Sequence, residues 1–319
     1  MRAYHKPAPD APASLTRLAR PDPGHGQIRV KIAACGLNFA DLLMLKGQYQ
    51  DTPKGPFTLG MEVAGTVEAL GEGTEGPAIG TRVAVFGGQG GLAEFGCFDA
   101  ARAVPLPDAM SMTDAAAFLI AYGTSHLALD HRARLQPGET LLVLGAAGGV
   151  GLTAVEVGKL MGATVIACAR GADKLEAARR AGADHLIDAA TDDIRAVVKS
   201  LGGADVVYDP VGGEQWQAAF RACNPEARLL PIGFASGEVP QIPANHLLVK
   251  NLSVLGVYWG GYMKFNPRAV TDSLLVLMGW YAEGRIKPHV SHILPLEQVE
   301  EGLELLRTRA STGKVVITI

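Results

Sequence analysis

Leu141 to Gly151, L-L-V-L-G-A-A-G-G-V-G, reads as an anion-binding turn. An apolar run enters a glycine-dense turn and leaves as a helix, which aims free backbone N–H groups at a phosphate. Gly148 lets the backbone approach a diphosphate, and Gly151 lets the helix pack close to the strand. The first glycine of the usual G-x-G-x-x-G is Ala146 here. About twenty residues on, an acidic residue would bind the ribose hydroxyls of NAD. This chain instead reads Ala167-Cys168-Ala169-Arg170-Gly171, with Lys174 close behind. An arginine fork and a lysine point charge suit a ribose 2′-phosphate, so NADPH is the expected cofactor. The alternative is that Arg170 and Lys174 are solvated charges near a helix start, and Asp173 is a first-turn residue that suits the helix dipole.

Other chemistries find no support. The four cysteines, Cys35, Cys97, Cys168 and Cys223, contain no C-x-x-C pair, which excludes a zinc knuckle. Cys168 and Cys223 read as small core residues. The eight histidines show no paired ligand spacing on a helix, and no G-x-S-x-G elbow occurs. A net charge of −3 offers no basic field for nucleic acid. No apolar run is long enough to span a bilayer, and the start lacks the apolar stretch of a signal peptide, so a cytoplasmic location is expected.

Downstream of the glycine turn, short β-rich runs alternate with helical stretches. Strands are expected near Thr140–Gly145, Ala163–Ala169, His185–Asp188, Ala204–Asp209, Arg228–Gly233 and Leu252–Val257. Helices are expected near Gly149–Met161, Lys174–Ala181, Asp192–Leu201 and Glu214–Ala222. Six strands with crossover helices make a doubly wound parallel sheet. Residues 1–120 differ in texture, with strand-like runs at Gln27–Ala33, Val63–Ala69 and Thr81–Phe86 among many glycines and prolines, and read as an antiparallel β domain. The dinucleotide unit is expected over 121–257. Residues 258–319, with helices at Ala269–Glu283 and Glu297–Arg309 and a closing strand at Val315–Ile319, are expected to return to the first domain. The active site is then expected in the cleft between the two domains.

Four ordered motifs carry a resemblance. They are Cys35-Gly36-Leu37-Asn38-Phe39-Ala40-Asp41, Leu59-Gly60-Met61-Glu62-Val63-Ala64-Gly65, the turn Ala146–Gly151, and Tyr208-Asp209-Pro210-Val211-Gly212. Over essentially its whole length the chain resembles the zinc-independent quinone oxidoreductase branch of the medium-chain dehydrogenase/reductases. The resemblance implies an α/β protein with a GroES-like β-rich catalytic domain, a Rossmann domain with a six-stranded parallel sheet, NADPH as hydride donor and a homodimer. In zinc-dependent relatives a cysteine stands at the place of Asn38 and a histidine at that of Met61. Asn38 and Met61 cannot form a tetrahedral Lewis-acid site, so no metal is expected. Glu62 then reads as a partly buried carboxylate held by hydrogen bonds.

The same resemblance implies the site residues. Asn38 is expected to donate an amide N–H toward the nicotinamide or a developing oxyanion, Asp41 to organise its loop, and Tyr49 to donate a proton or line the acceptor site. Tyr49 is equally well a loop tyrosine with a wet hydroxyl. Cofactor contacts are implied for Phe39, for Thr124 in a helix expected at Thr113–Leu129, and for Ala147, Gly148, Gly149 and Val150 of the turn. They are implied also for Arg170, Gly171, Lys174 and Val211, for Gly233 and Phe234 at the end of the fifth strand, for Val257 and Tyr258 at the end of the sixth, and for Arg309. Lys314 is placed like Arg309, and surface charge is the alternative for both. Ala189 stands where relatives often carry a tyrosine beside the 2′-phosphate. The runs Ala227–Gly233 and Asn251–Val257 are expected to offer apolar edges for a dimer. The activity implied is reduction of a quinone; an enone or enoyl-CoA double bond is the alternative acceptor, and a redox sensor with little turnover is the third reading.

Overall fold

A computed structural model describes all residues, Met1–Ile319. Strands β1 to β8 are Arg2–Lys6, Ser14–Arg17, Gln27–Gly36, Phe57–Thr58, Glu62–Leu70, Arg82–Phe86, Phe95–Asp99 and Ala103–Pro105. Then follow β9 to β14, at Thr140–Leu144, Thr164–Ala169, His185–Asp188, Ala204–Asp209, Cys223–Pro231 and Ser253–Val254, and finally β15 and β16, at Val290–Pro295 and Lys314–Thr318. The chain divides into two compact units: Met1–Ile120 with Pro288–Ile319, and Ala121–Lys287.

The first unit is built on a seven-stranded sheet in the order β15-β16-β3-β5-β6-β8, with β7 paired to β3, and a smaller sheet β2-β1-β4. In β3 the residues Ile28, Val30, Ile32 and Ala34 are buried while Lys31 is exposed, the alternation of an antiparallel strand with one face on the core. The C-terminal β16 pairs with β3, bringing Val316 opposite Gly36. That register sets Lys314 near the loop that begins at Leu37, where Leu37 N–H donates to Val315 O at 2.9 Å.

The second unit is a six-stranded parallel sheet in the order β11-β10-β9-β12-β13-β14. Its central strands read as continuous apolar runs because helices cover both faces: Leu141 to Leu144 and Val165 to Cys168 are fully buried. The order reverses beside β9, the strand that enters the glycine turn, and such a reversal opens a crevice at the carboxyl ends of the strands.

Four expectations need correction. Residues 258–287 cluster with the parallel-sheet unit, since the helix Pro267–Ala282 sends Ser273 Oγ to the buried His126 Nδ1 at 2.9 Å and buries Val270, Leu274 and Leu277. The helix expected over Thr113–Leu129 is broken: Ala117 and Phe118 bond back three residues, to Asp114 O and Ala115 O, which separates Met112–Ala116 from Leu119–His126. A wider turn, Leu127–Arg132, continues the latter. The fifth and sixth strands end early, at Pro231 and Val254, so Gly233, Phe234, Val257 and Tyr258 lie on loops beyond them. Finally, β13 pairs on both sides, so Ala227–Gly233 is no sheet edge, and β14 alone keeps a free edge at that end. No helix is long and apolar enough to cross a membrane.

Candidate active site

In the parallel-sheet unit, the ends of β9, β10, β12 and β13 share one edge, and the glycine turn opens there. The helix Gly149–Leu160 begins after Gly148, which offers no capping side chain to its first N–H groups. Two glycines of the turn differ in what they make possible. A Cβ on Gly151 would lie 2.2 Å from Gly145 O, so the fold itself demands glycine. A Cβ on Gly148 would meet nothing nearer than Gly145 O at 3.4 Å, and Gly148 has an ordinary extended backbone at φ −78° and ψ 174°. Packing does not need glycine at 148; a ligand pressed against that backbone would. Ala147 is buried beside it.

Beneath the turn lies a chain of hydroxyls that the sequence did not signal. Ser125 Oγ donates to Val150 O at 3.0 Å and stands 2.8 Å from Thr153 Oγ1 and 3.0 Å from Tyr208 OH. It ties the helix bearing buried Thr124 to the turn and to β12. Asp209, at the end of β12, accepts from Val211 N at 2.7 Å and Gly212 N at 3.0 Å, which holds Val211 in place; burial pushes its carboxyl up to about 6.

At the end of β10, Arg170 is exposed and Lys174 is half-buried on the first turn of the helix Ala172–Arg180. Gly171 between them has φ +87°, and its N–H donates to Asp188 Oδ1 at 3.1 Å. Ala190 N–H donates to the same oxygen at 2.9 Å, and these two N–H groups, with Arg170 nearby, hold the Asp188 carboxyl below its usual range. Asp188 was legible only as the end of a strand, yet it shapes the turn that presents Arg170. Ala189, beside it, is half-buried.

In the first unit, Asn38, Glu62 and Lys314 converge. Lys314 Nζ donates to Glu62 Oε1 at 2.7 Å, to Asn38 Oδ1 at 2.8 Å and to Leu37 O at 2.8 Å. Asn38 Nδ2 donates to Glu62 Oε1 at 3.0 Å and Gly36 O at 3.2 Å, and Glu62 Oε2 accepts from Ile120 N at 3.0 Å. The amide orientation is unambiguous, because an ammonium can only donate and a carboxylate and a carbonyl can only accept. Both amide hydrogens of Asn38 are thereby directed at protein acceptors. The amide expected to face the nicotinamide or a developing oxyanion thus meets Glu62 and Gly36 in this structure.

Asp41 is fully buried; its Oδ2 accepts from Asn38 N at 2.8 Å and its Oδ1 from Gly60 N at 3.3 Å. Burial pushes its carboxyl up to about 7, against the pull of those N–H groups and the Lys314 charge. It lies in the first turn of the helix Phe39–Leu45, on which Phe39 is 40% exposed. Tyr49 lies in the following turn, half-buried, with its carbonyl accepting from Thr52 N and Oγ1. Arg309 is exposed at φ +56°, past the end of the helix Val299–Arg307.

The alcohol dehydrogenase GroES-like domain family matches residues 24–108, and the zinc-binding dehydrogenase family matches residues 149–273. The quinone oxidoreductase-like protein 2 homolog of Nematostella vectensis is 40% identical over 300 residues, covering 92% of this chain and 82% of the relative. The chain belongs to the zinc-independent quinone oxidoreductase branch of the medium-chain dehydrogenase/reductases. The quinone oxidoreductase of Thermus thermophilus, solved also with NADPH, superposes with a TM-score of 0.89 at 33% identity over 100% of both chains. The Escherichia coli quinone oxidoreductase in complex with NADPH gives a TM-score of 0.90 at 29% identity over 100% of this chain and 99% of that one. The protein is thus an oxidoreductase with the GroES-like and Rossmann architecture of its family.

One matched family takes its name from zinc, and the residues here do not fit that ion. No three His, Cys, Asp or Glu side chains converge, and the places of the metal ligands hold a carboxamide and a thioether. The carboxylate beside them already carries an ammonium at 2.7 Å, which would repel a divalent cation.

Proposed function

We propose that this protein is an NADPH-dependent reductase of quinones that works without a metal. What carries the reading is a glycine-built anion cradle in a chain whose Asn38–Glu62–Lys314 cluster has no place for a Lewis acid. The bound nicotinamide supplies the hydride. Ala147, Gly148, Gly149 and Val150 bind the diphosphate through backbone N–H groups. Arg170, Gly171 and Lys174 receive the 2′-phosphate. Phe39, Thr124, Val211, Gly233, Phe234, Val257, Tyr258 and Arg309 complete the cofactor contacts. Asp41 holds its loop through Asn38 N and Gly60 N rather than transferring a proton.

A second acceptor class, the double bond of an enone or enoyl thioester, is favoured by Tyr49, since protonation of carbon calls for a phenol or a similar acid in a half-buried loop. One experiment separates the two. Chelator-treated protein, free of zinc by elemental analysis and weighed by light scattering for a homodimer along the free β14 edge, is given NADPH with a polycyclic quinone, an alkenal or a short trans-2-enoyl-CoA. Rapid quinone turnover, unchanged in Tyr49→Phe, is the expected result. Preference for the alkenal or thioester, lost in Tyr49→Phe, would overturn the quinone reading, and NADPH binding without any turnover would favour a sensor.

The cofactor assignment has its own check. Arg170→Ala is expected to raise KM for NADPH by about 10- to 100-fold, the loss of one charge-assisted phosphate contact, and to leave KM for NADH within about twofold. Equal effects on both would remove Arg170 from the 2′-phosphate site.

A further inference from the structure

We propose that Lys314 is a positioning residue for hydride transfer: its ammonium group locks the Gly36–Asp41 segment in one geometry. The proposal rests on the reductase reading above and adds to it a residue that touches neither cofactor nor acceptor.

The Lys314 ammonium has a closed set of partners. An ammonium has three hydrogens, and Lys314 has three acceptors, Leu37 O, Asn38 Oδ1 and Glu62 Oε1, at 2.8, 2.8 and 2.7 Å. Lys314 is 5% exposed and Glu62 1%, so water does not compete for these bonds. The ammonium decides which way the Asn38 amide faces, and the amide in turn meets Glu62 and Gly36. Leu37 is gripped through its N–H by Val315 O and through its carbonyl by Lys314, adjacent residues near the start of β16. Asn38 N–H holds Asp41, and Asp41 accepts from Gly60 N. These polar groups, from Gly36 O to the Asp41 carboxylate, are tied to the Lys314 ammonium directly or through a neighbour. Phe39, the proposed cofactor contact in the middle of this segment, inherits its position from that network.

Stability alone does not call for such a pair. A buried ion pair is often matched or exceeded by a neutral pair of similar volume. A lysine and a glutamate kept here, at the place where zinc-dependent relatives put their metal ligands, give a loop with a single geometry, and reactions governed by orientation reward that.

The test uses the full chain in four forms: wild type, Lys314→Met, Lys314→Arg, and Glu62→Gln/Lys314→Met, which removes both charges of the ion pair. Melting temperature, NADPH affinity by fluorescence, kcat with the best acceptor, the deuterium isotope effect with NADPH labelled at the transferred position, and amide exchange over 37–41 are all read. The double variant is expected to melt close to wild type and to bind NADPH within about threefold. Its kcat is expected to fall about 30-fold, within the ~10²-fold that a 1 Å misplacement can cost, with a larger isotope effect and faster exchange at Asn38 and Asp41. Lys314→Arg is expected to restore part of kcat. Wild-type kcat in the double variant overturns the proposal. So does weaker NADPH binding at unchanged kcat, which would make Lys314 a cofactor contact. If wild type turns over no acceptor, the reductase reading fails by itself, and unchanged amide exchange in the double variant then overturns the locking.

Discussion

Gly148→Ala is expected to bind NADPH about 100-fold more weakly than wild type, roughly 2.8 kcal/mol at 1.4 kcal/mol per tenfold, while melting at nearly the same temperature. The extended backbone at Gly148 accepts an L-residue, and the nearest protein atom to the new methyl is Gly145 O at 3.4 Å, an ordinary contact. The methyl instead takes the space a diphosphate needs against the first N–H groups of the helix Gly149–Leu160. Gly151→Ala, the same chemical change three residues on, should do the opposite in kind. Its methyl meets Gly145 O at 2.2 Å and Ala146 Cα at 2.8 Å, both backbone, so the turn or the helix must move. Overpacking of that sort costs about 1–3 kcal/mol, or roughly 3–10 °C in melting temperature for a unit of this size. Calorimetry and an NADPH titration on both variants check the pair. Wild-type affinity in Gly148→Ala would mean that the diphosphate does not lie on this turn.

Glu62→Ala should be the most damaging single change in the first unit. It leaves the Lys314 ammonium buried at 5% exposure with its counterion gone, and it strips an acceptor from Asn38 Nδ2 and from Ile120 N. Breaking a buried ion pair from one side costs about 3–5 kcal/mol, because the remaining charge has been taken from water without compensation. The expected drop is roughly 10 °C in a scanning calorimeter. Adding Lys314→Met removes the stranded charge, and the double variant should regain more than half of that loss. A single variant that melts within about 2 °C of wild type, under ~1 kcal/mol, would show that water reaches the pair.

The glycine turn and the strands around it were legible because their signals are local. Leu141–Leu144 is buried on both faces and so is apolar throughout, and Gly151 is glycine because backbone passes 2.2 Å from its missing Cβ. The antiparallel texture of residues 27–86 was legible for the same reason, as alternation along β3 records a single covered face. The tail misled because helical periodicity at 269–283 reports which face is buried, not against what; His126 and its neighbours, far away in sequence, settle that. The break after Ala116 carries no glycine or proline to announce it.

At the candidate site, residue type read through the resemblance pointed away from a zinc centre, since a carboxamide at 38 and a thioether at 61 stand where zinc-dependent relatives have a thiolate and an imidazole. It also placed a cation, Arg170, where a carboxylate would favour NAD. What residue type could not decide was the state of the groups left where a metal would have been. Lys314 and Glu62 are 252 positions apart, and only the pairing of β16 with β3 brings the ammonium to the carboxylate. With that contact made, Asn38 Oδ1 faces the ammonium and the amide hydrogens face Glu62 and Gly36. The sequence determined which groups are present; their hydrogen-bonding capacity was allotted by the fold, because a donor's chemistry depends on the acceptors that tertiary contacts leave within reach.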